Sequence, residues 1–176
     1  MNNIDRDSRT DSIDSPPAMQ TFPKGMWHLI GSVIAMCIAD ALLLVETVFI
    51  LYPRLNESTL AWIGVTLMLV LVMLIVHPTF MLTRGKAHYH SLLIKLNALV
   101  IMLLALLLVT TVVQAELALS YTCVIGLSAA LVARYFYKSH AFAECVEYFR
   151  AIWAYHARKK KHLTALIRAR SPSAKR

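Results

Sequence analysis

The sequence MWHLIGSVIAMCIADALLLVETVFILY, residues 26–52, is the first long apolar run of the chain. At a rise of about 1.5 Å per residue, a helix of this length crosses the roughly 30 Å hydrocarbon core of a bilayer. Asp40 lies near its middle, and small residues recur at every fourth position: Gly31, Ala35 and Ala39. These small residues line one helix face, where another backbone could approach closely. The run therefore predicts a membrane-spanning helix that packs against other protein.

Three further apolar blocks follow, at about 59–82, 91–113 and 117–137. Apolar residues make up 58% of the 176-residue chain, against about 45–50% in soluble proteins. Short polar links separate the blocks, so consecutive helices must run antiparallel. The pattern predicts an all-α polytopic membrane protein, with a four-helix transmembrane bundle over residues 26–138.

Lysine and arginine are distributed unevenly around this bundle. The link between the second and third blocks holds Arg84 and Lys86, and eleven Lys and Arg follow residue 133, whereas the other two links hold one Arg and none. Basic links remain on the cytoplasmic side of a membrane. We therefore expect an integral protein of the bacterial inner membrane with both termini in the cytoplasm.

The two ends of the chain are polar. Residues 1–25 cannot build a core, so they predict a disordered cytoplasmic leader, and residues 171–176 predict a flexible tail. Between Gly126 and Ser171 there is neither Gly nor Pro. We therefore expect helix without interruption from the fourth block onward, with residues 139–170 forming a long, amphipathic, basic cytoplasmic helix.

This C-terminal helix begins with large apolar side chains at heptad spacing, which we name the apolar seam: Phe142, Val146, Phe149 and Trp153. Such a surface must be covered. The sequence leaves three covers open: a second copy, a cytoplasmic partner protein or the inner leaflet. A cationic cluster that suits anionic lipid headgroups follows the seam: Arg158, Lys159, Lys160 and Lys161.

Asp40 is the sharpest functional candidate, because a carboxylate near the bilayer midplane is costly. It could be a protonated side chain that joins the first and fourth helices, a proton or cation site, or a contact with another subunit. Ser128 is the expected partner at similar depth, beside a small-residue patch with Gly126 and Ala130 that we expect to pack on the first helix. Glu46 points to a different helix face and lies near the outer end, where it could reach water, so the spacing does not predict a two-carboxylate relay.

The remaining reactive residues indicate no enzyme. Cys37, Cys123 and Cys145 lack paired spacing, so no disulfide is expected. His88 and His90 are too few for a convincing metal site, and we expect no cofactor. No nucleophile–base motif or phosphate-binding loop occurs.

The sequence thus favours a non-enzymatic interaction or sensor subunit that recruits a cytoplasmic partner, or assembles into a membrane complex, through its C-terminal helix. Two alternatives remain: a small transporter or proton or cation channel that uses Asp40, and a bacteriocin-immunity or phage-defence membrane protein. The expected partners are membrane lipid and either another protein or a second copy, and not nucleic acid.

Overall fold

A computed structural model describes residues 22–170, so most of the predicted leader and all of the predicted tail lie outside the described residues. This part of the chain forms five α-helices: α1 (Met26–Leu51), α2 (Glu57–Thr83), α3 (His88–Val113), α4 (Leu117–Lys138) and α5 (His140–Arg170). A 3-10 turn, Tyr52–Arg54, follows α1. The helices α1 to α4 are each long and apolar enough to cross a membrane. The prediction of an all-helical chain with four such helices is confirmed.

The four long helices pack as a bundle in which α4 contacts both α1 and α3 extensively, while α2 contacts α1 and α3 more thinly. The core is built from large and small apolar side chains that interdigitate, among them Met36, Ala39, Leu104 and Ala130. Large apolar side chains also cover the outside of the bundle, as Trp62 and Met73 do on α2. An apolar exterior on helices of this length is typical of surfaces that face lipid.

The fifth helix does not continue α4. Ser139 adopts an extended backbone (φ −69°, ψ 146°), and its Oγ accepts a hydrogen bond of 3.2 Å from the Phe142 backbone N–H. Serine is a strong helix N-cap because its hydroxyl satisfies a free N–H at the start of a helix. The prediction of uninterrupted helix from the fourth span onward is therefore wrong: the chain turns at Ser139 without Gly or Pro.

After this turn, α5 lies across one end of the bundle, the end at which α1 and α3 begin and α2 and α4 finish. We name it the basic end, because Lys86 and Lys138 lie there. Ala141 lies against Gly25, immediately before α1. The Phe142 ring stacks on His90 at the start of α3 with centroids 5.0 Å apart, and Trp153 Nε1 donates a 2.8 Å hydrogen bond to the Thr83 carbonyl at the end of α2. Within about 18 Å of its length, α5 therefore meets three other helix ends.

Candidate functional site

The apolar seam is covered by the chain itself. Phe142 is 0% exposed and Val146 5%, whereas Trp153 remains 45% exposed, and Phe149 is half-buried. Phe142 also packs edge-on against Tyr137, with ring centroids 5.4 Å apart. The expectation that Phe142 and Val146 bind a partner is therefore corrected. The turn at Ser139 lays this face on the basic end of the bundle, a cover that the sequence reading did not include.

The second half of α5 extends past these contacts and is exposed, including Leu163 (50%) and Ile167 (68%). At about 100° per residue, Arg158 lies about 160° around the helix from Phe142, so it points away from the bundle. By the same geometry, Lys160 lies on the side that faces the bundle end. The predicted headgroup cluster, residues 158–161, is thus distributed around the helix, with Lys159 and Lys161 on its two flanks.

Asp40 is buried (6% exposed), and within the described residues its Oδ1 has no hydrogen-bond partner. It lines a cavity of about 350 Å³ between α1 and α2. The expected bond to Ser128 is not formed, because Ser128 lies exposed on α4 and donates to the Val124 carbonyl of its own helix at 2.8 Å. Asp40 faces α2, and the prediction that it joins α1 to α4 through Ser128 is wrong.

Glu46 faces α4 and is fully buried, so it does not reach water, which the sequence had left possible. The Thr122 hydroxyl donates a hydrogen bond to Glu46 Oε1, while Oε2 has no partner within the described residues. The Cys123 thiol lies within hydrogen-bonding reach of both Glu46 and Thr111. These groups form a polar cluster that ties α1, α3 and α4 together near the end remote from α5.

Asn97 is a polar contact to which sequence reasoning assigned no role. It is fully buried in α3, and its Nδ2 donates to the Ala130 carbonyl at 2.9 Å and approaches Met36 Sδ at 3.4 Å. It therefore joins α3 to both α4 and α1. An Asn inside an apolar helix is a recognisable signal, because such side chains bond across helix interfaces in membranes.

The predicted small-residue faces are brought together at the α1–α4 interface. Ala35, Ala39 and Ala130 are buried. A Cβ on Gly31 would lie 2.9 Å from the Phe136 ring, and one on Gly126 would lie 3.3 Å from the side chains of Leu42 and Leu104. These close approaches allow α1 and α4 to pack tightly.

The histidine and cysteine side chains were the remaining candidates for a metal site or a disulfide. His90 Nε2 makes a 2.8 Å hydrogen bond with the Tyr137 carbonyl. Across residues 22–170, no group of three His, Cys, Asp or Glu side chains is arranged to hold a metal ion. The three cysteines are free thiols: Cys37 is exposed, and Cys123 and Cys145 are buried. Burial raises the pKa of the Cys145 thiol above its ordinary value.

No protein-family model matches this chain, and no curated protein or solved structure matches it either. Function must therefore be inferred from the geometry of the molecule. Two features stand out beyond bundle packing: the exposed basic half of α5, and the cavity that contains Asp40.

Proposed function

We propose that this chain is a non-enzymatic, membrane-embedded interaction subunit of the bacterial inner membrane that recruits an acidic cytoplasmic protein through α5. In this proposal α1 to α4 span the bilayer, and the basic end and both termini face the cytoplasm. The concentration of Lys and Arg at that end supports this orientation.

The observation that carries the proposal is the fixed position of α5. The buried Phe142 and the hydrogen bond from Trp153 to Thr83 hold its first half across the basic end. The second half then presents two exposed basic side chains. Arg158 lies on the side away from the bundle, and Lys161 lies on the neighbouring flank. A surface held in place before binding loses little conformational entropy on association, and its charge accelerates encounter with an acidic partner.

The opposite side of the same half-helix suits the inner leaflet. Leu163 and Ile167 lie on the side that continues the apolar seam, so beyond the edge of the bundle they would meet the membrane surface. Lys160 can reach phosphate groups while its aliphatic stem lies along the apolar surface. Lipid contact on this side would leave the side with Arg158 free for protein.

A transporter or channel is less well supported. The walls of the Asp40 cavity are otherwise apolar or thiol-bearing. Glu46 faces α4 instead, so within the described residues the two carboxylates do not share a polar path. No observation on the described residues specifically favours an immunity or phage-defence role.

The test is a mild-detergent purification of the intact protein with its partners, compared between two charge-reversal pairs. Arg158→Glu with Lys161→Glu alters the side of α5 that points away from the bundle and the flank next to it. Lys159→Glu with Lys160→Glu makes the same change in net charge elsewhere on the same helix and is the matched control. We expect the first pair to lose a stoichiometric soluble partner and the control to keep it. Equal recovery from both pairs, or equal loss, would contradict the proposal.

A further inference from the structure

The cavity between α1 and α2 has the size of a small-molecule site. Its volume of about 350 Å³ falls within the range of about 300–1,000 Å³ found for such sites. Its walls combine apolar side chains with one thiol and one carboxylate: Cys37, Asp40, Ala41, Leu44, Val45, Met68, Leu71, Val72 and Ile75. We propose that this cavity binds a hydrophobic amine from within the bilayer, with the ammonium group on the Asp40 carboxylate and the hydrocarbon against the apolar walls.

The charge of the site selects a cation. Asp40 is 6% exposed and its Oδ1 lacks a partner within the described residues. The residues that line the cavity include no Lys, Arg or His. A carboxylate in such surroundings gains a strong, charge-assisted hydrogen bond from an ammonium donor. An alcohol of the same length would fill the same space and could donate a hydrogen bond, but it lacks the positive charge that strengthens the bond from an ammonium group.

The mouth of the cavity opens on the outer surface of the bundle. Cys37, Ala41 and Val45 are exposed on α1, as are Met68 and Val72 on α2. In the proposed membrane orientation this surface faces lipid, so a ligand would enter sideways from the acyl chains. Asp40 lies about 21 Å along α1 from its first residue, deep within the span.

A second copy of the chain would not supply the missing cation. Among the described Lys and Arg residues of α1 to α4, Lys95 lies furthest from a helix end. It lies about 10 Å from the start of α3, which is at the same end of the bundle as the start of α1. A parallel neighbour therefore places Lys95 about 11 Å from the depth of Asp40.

The experiment uses the full chain in lipid nanodiscs, with octylamine as the probe and octanol as its neutral match. Binding is measured with radiolabelled octylamine after subtraction of empty nanodiscs. A second readout is the rate at which methyl methanethiosulfonate, a thiol-selective reagent that spares amines, modifies Cys37, followed by peptide mass spectrometry. Cys37 suits this purpose because it lines the cavity and is exposed.

We expect saturable octylamine binding that slows the modification of Cys37, with much weaker protection by octanol at the same concentration. Asp40→Asn keeps the shape of the side chain and should weaken binding about 10- to 100-fold. Ala41→Phe should block the mouth and abolish binding. Glu46→Gln, which changes the buried acid outside the cavity, is the matched control and should bind as wild type does.

Four results would overturn the proposal. Equal protection by octanol and octylamine, or wild-type affinity in Asp40→Asn, would show apolar partitioning without recognition of charge. Resistance of Cys37 to modification before any amine is added would show that a second copy of the chain covers the mouth. No saturable octylamine binding, with Cys37 modified at the same rate with and without the amine, would show that the cavity does not take a hydrophobic amine.

Discussion

Replacing Phe142 by alanine should release α5 from the basic end while leaving the four-helix bundle folded. The ring is fully buried between Tyr137 and His90. Truncating a buried Phe to Ala costs about 3–5 kcal/mol, whereas the bond from Trp153 to Thr83 contributes about 1 kcal/mol. The docked state of α5 should therefore become at least about a hundredfold less favoured relative to the released state.

Cys145 reports this release directly, because it is a residue of α5 and is 0% exposed while that helix is docked. In Phe142→Ala we expect N-ethylmaleimide to alkylate Cys145 far faster than in wild type, as measured by peptide mass spectrometry in detergent. Leu163→Ala is the matched control, since Leu163 is 50% exposed beyond the contacts with the bundle, and it should alkylate at the wild-type rate. An unchanged Cys145 rate in Phe142→Ala would refute the claim that Phe142 anchors α5.

Three further outcomes follow from other contacts. Gly25→Ala should also increase Cys145 alkylation, because Gly25 has φ +85° and an added Cβ would overlap the Ala141 carbonyl; a wild-type rate would contradict this. Thr122→Val should lower the thermal unfolding temperature through a loss of about 1–3 kcal/mol, since it removes the hydroxyl that donates to the buried Glu46. Thr122→Ser keeps a hydroxyl and should unfold near the wild-type temperature. The alkylation rate of Cys145 in the folded protein should reach its midpoint at a higher pH than that of a free cysteine thiol, because burial raises the pKa of Cys145 and leaves less thiolate at a given pH; the midpoint of a free thiol would contradict the burial.

The four long helices could be predicted from sequence because length and hydropathy are summed along the chain. Residues 26–52 carry that signal without any knowledge of neighbours. Gly31 and Ala35 likewise mark a close-packing face by their spacing alone, and the structure places that face at the α1–α4 interface.

The turn at Ser139 could not be predicted by a search for Gly and Pro, because a capping hydroxyl breaks the helix there. That one turn decides where the apolar seam lies. The surroundings of Asp40 and Glu46 depend on how α1 is rotated within the bundle, which the sequence leaves open. Spacing indicated that the two carboxylates point in different directions, but it could not indicate that one faces α2 and the other faces Thr122 on α4.

In the proposed membrane arrangement, α1 to α4 span the bilayer and α5 lies across the cytoplasmic end. Single cysteines placed at Lys161 on α5 and at Glu116 in the link between α3 and α4 test it, in a cysteine-free background, with a membrane-impermeant maleimide applied to spheroplasts. Both positions are exposed in the structure. Glu116→Cys should label in intact spheroplasts, and Lys161→Cys should label only after the membrane is permeabilised. Labelling of Lys161→Cys in intact spheroplasts, or of both positions alike, would contradict the proposed orientation.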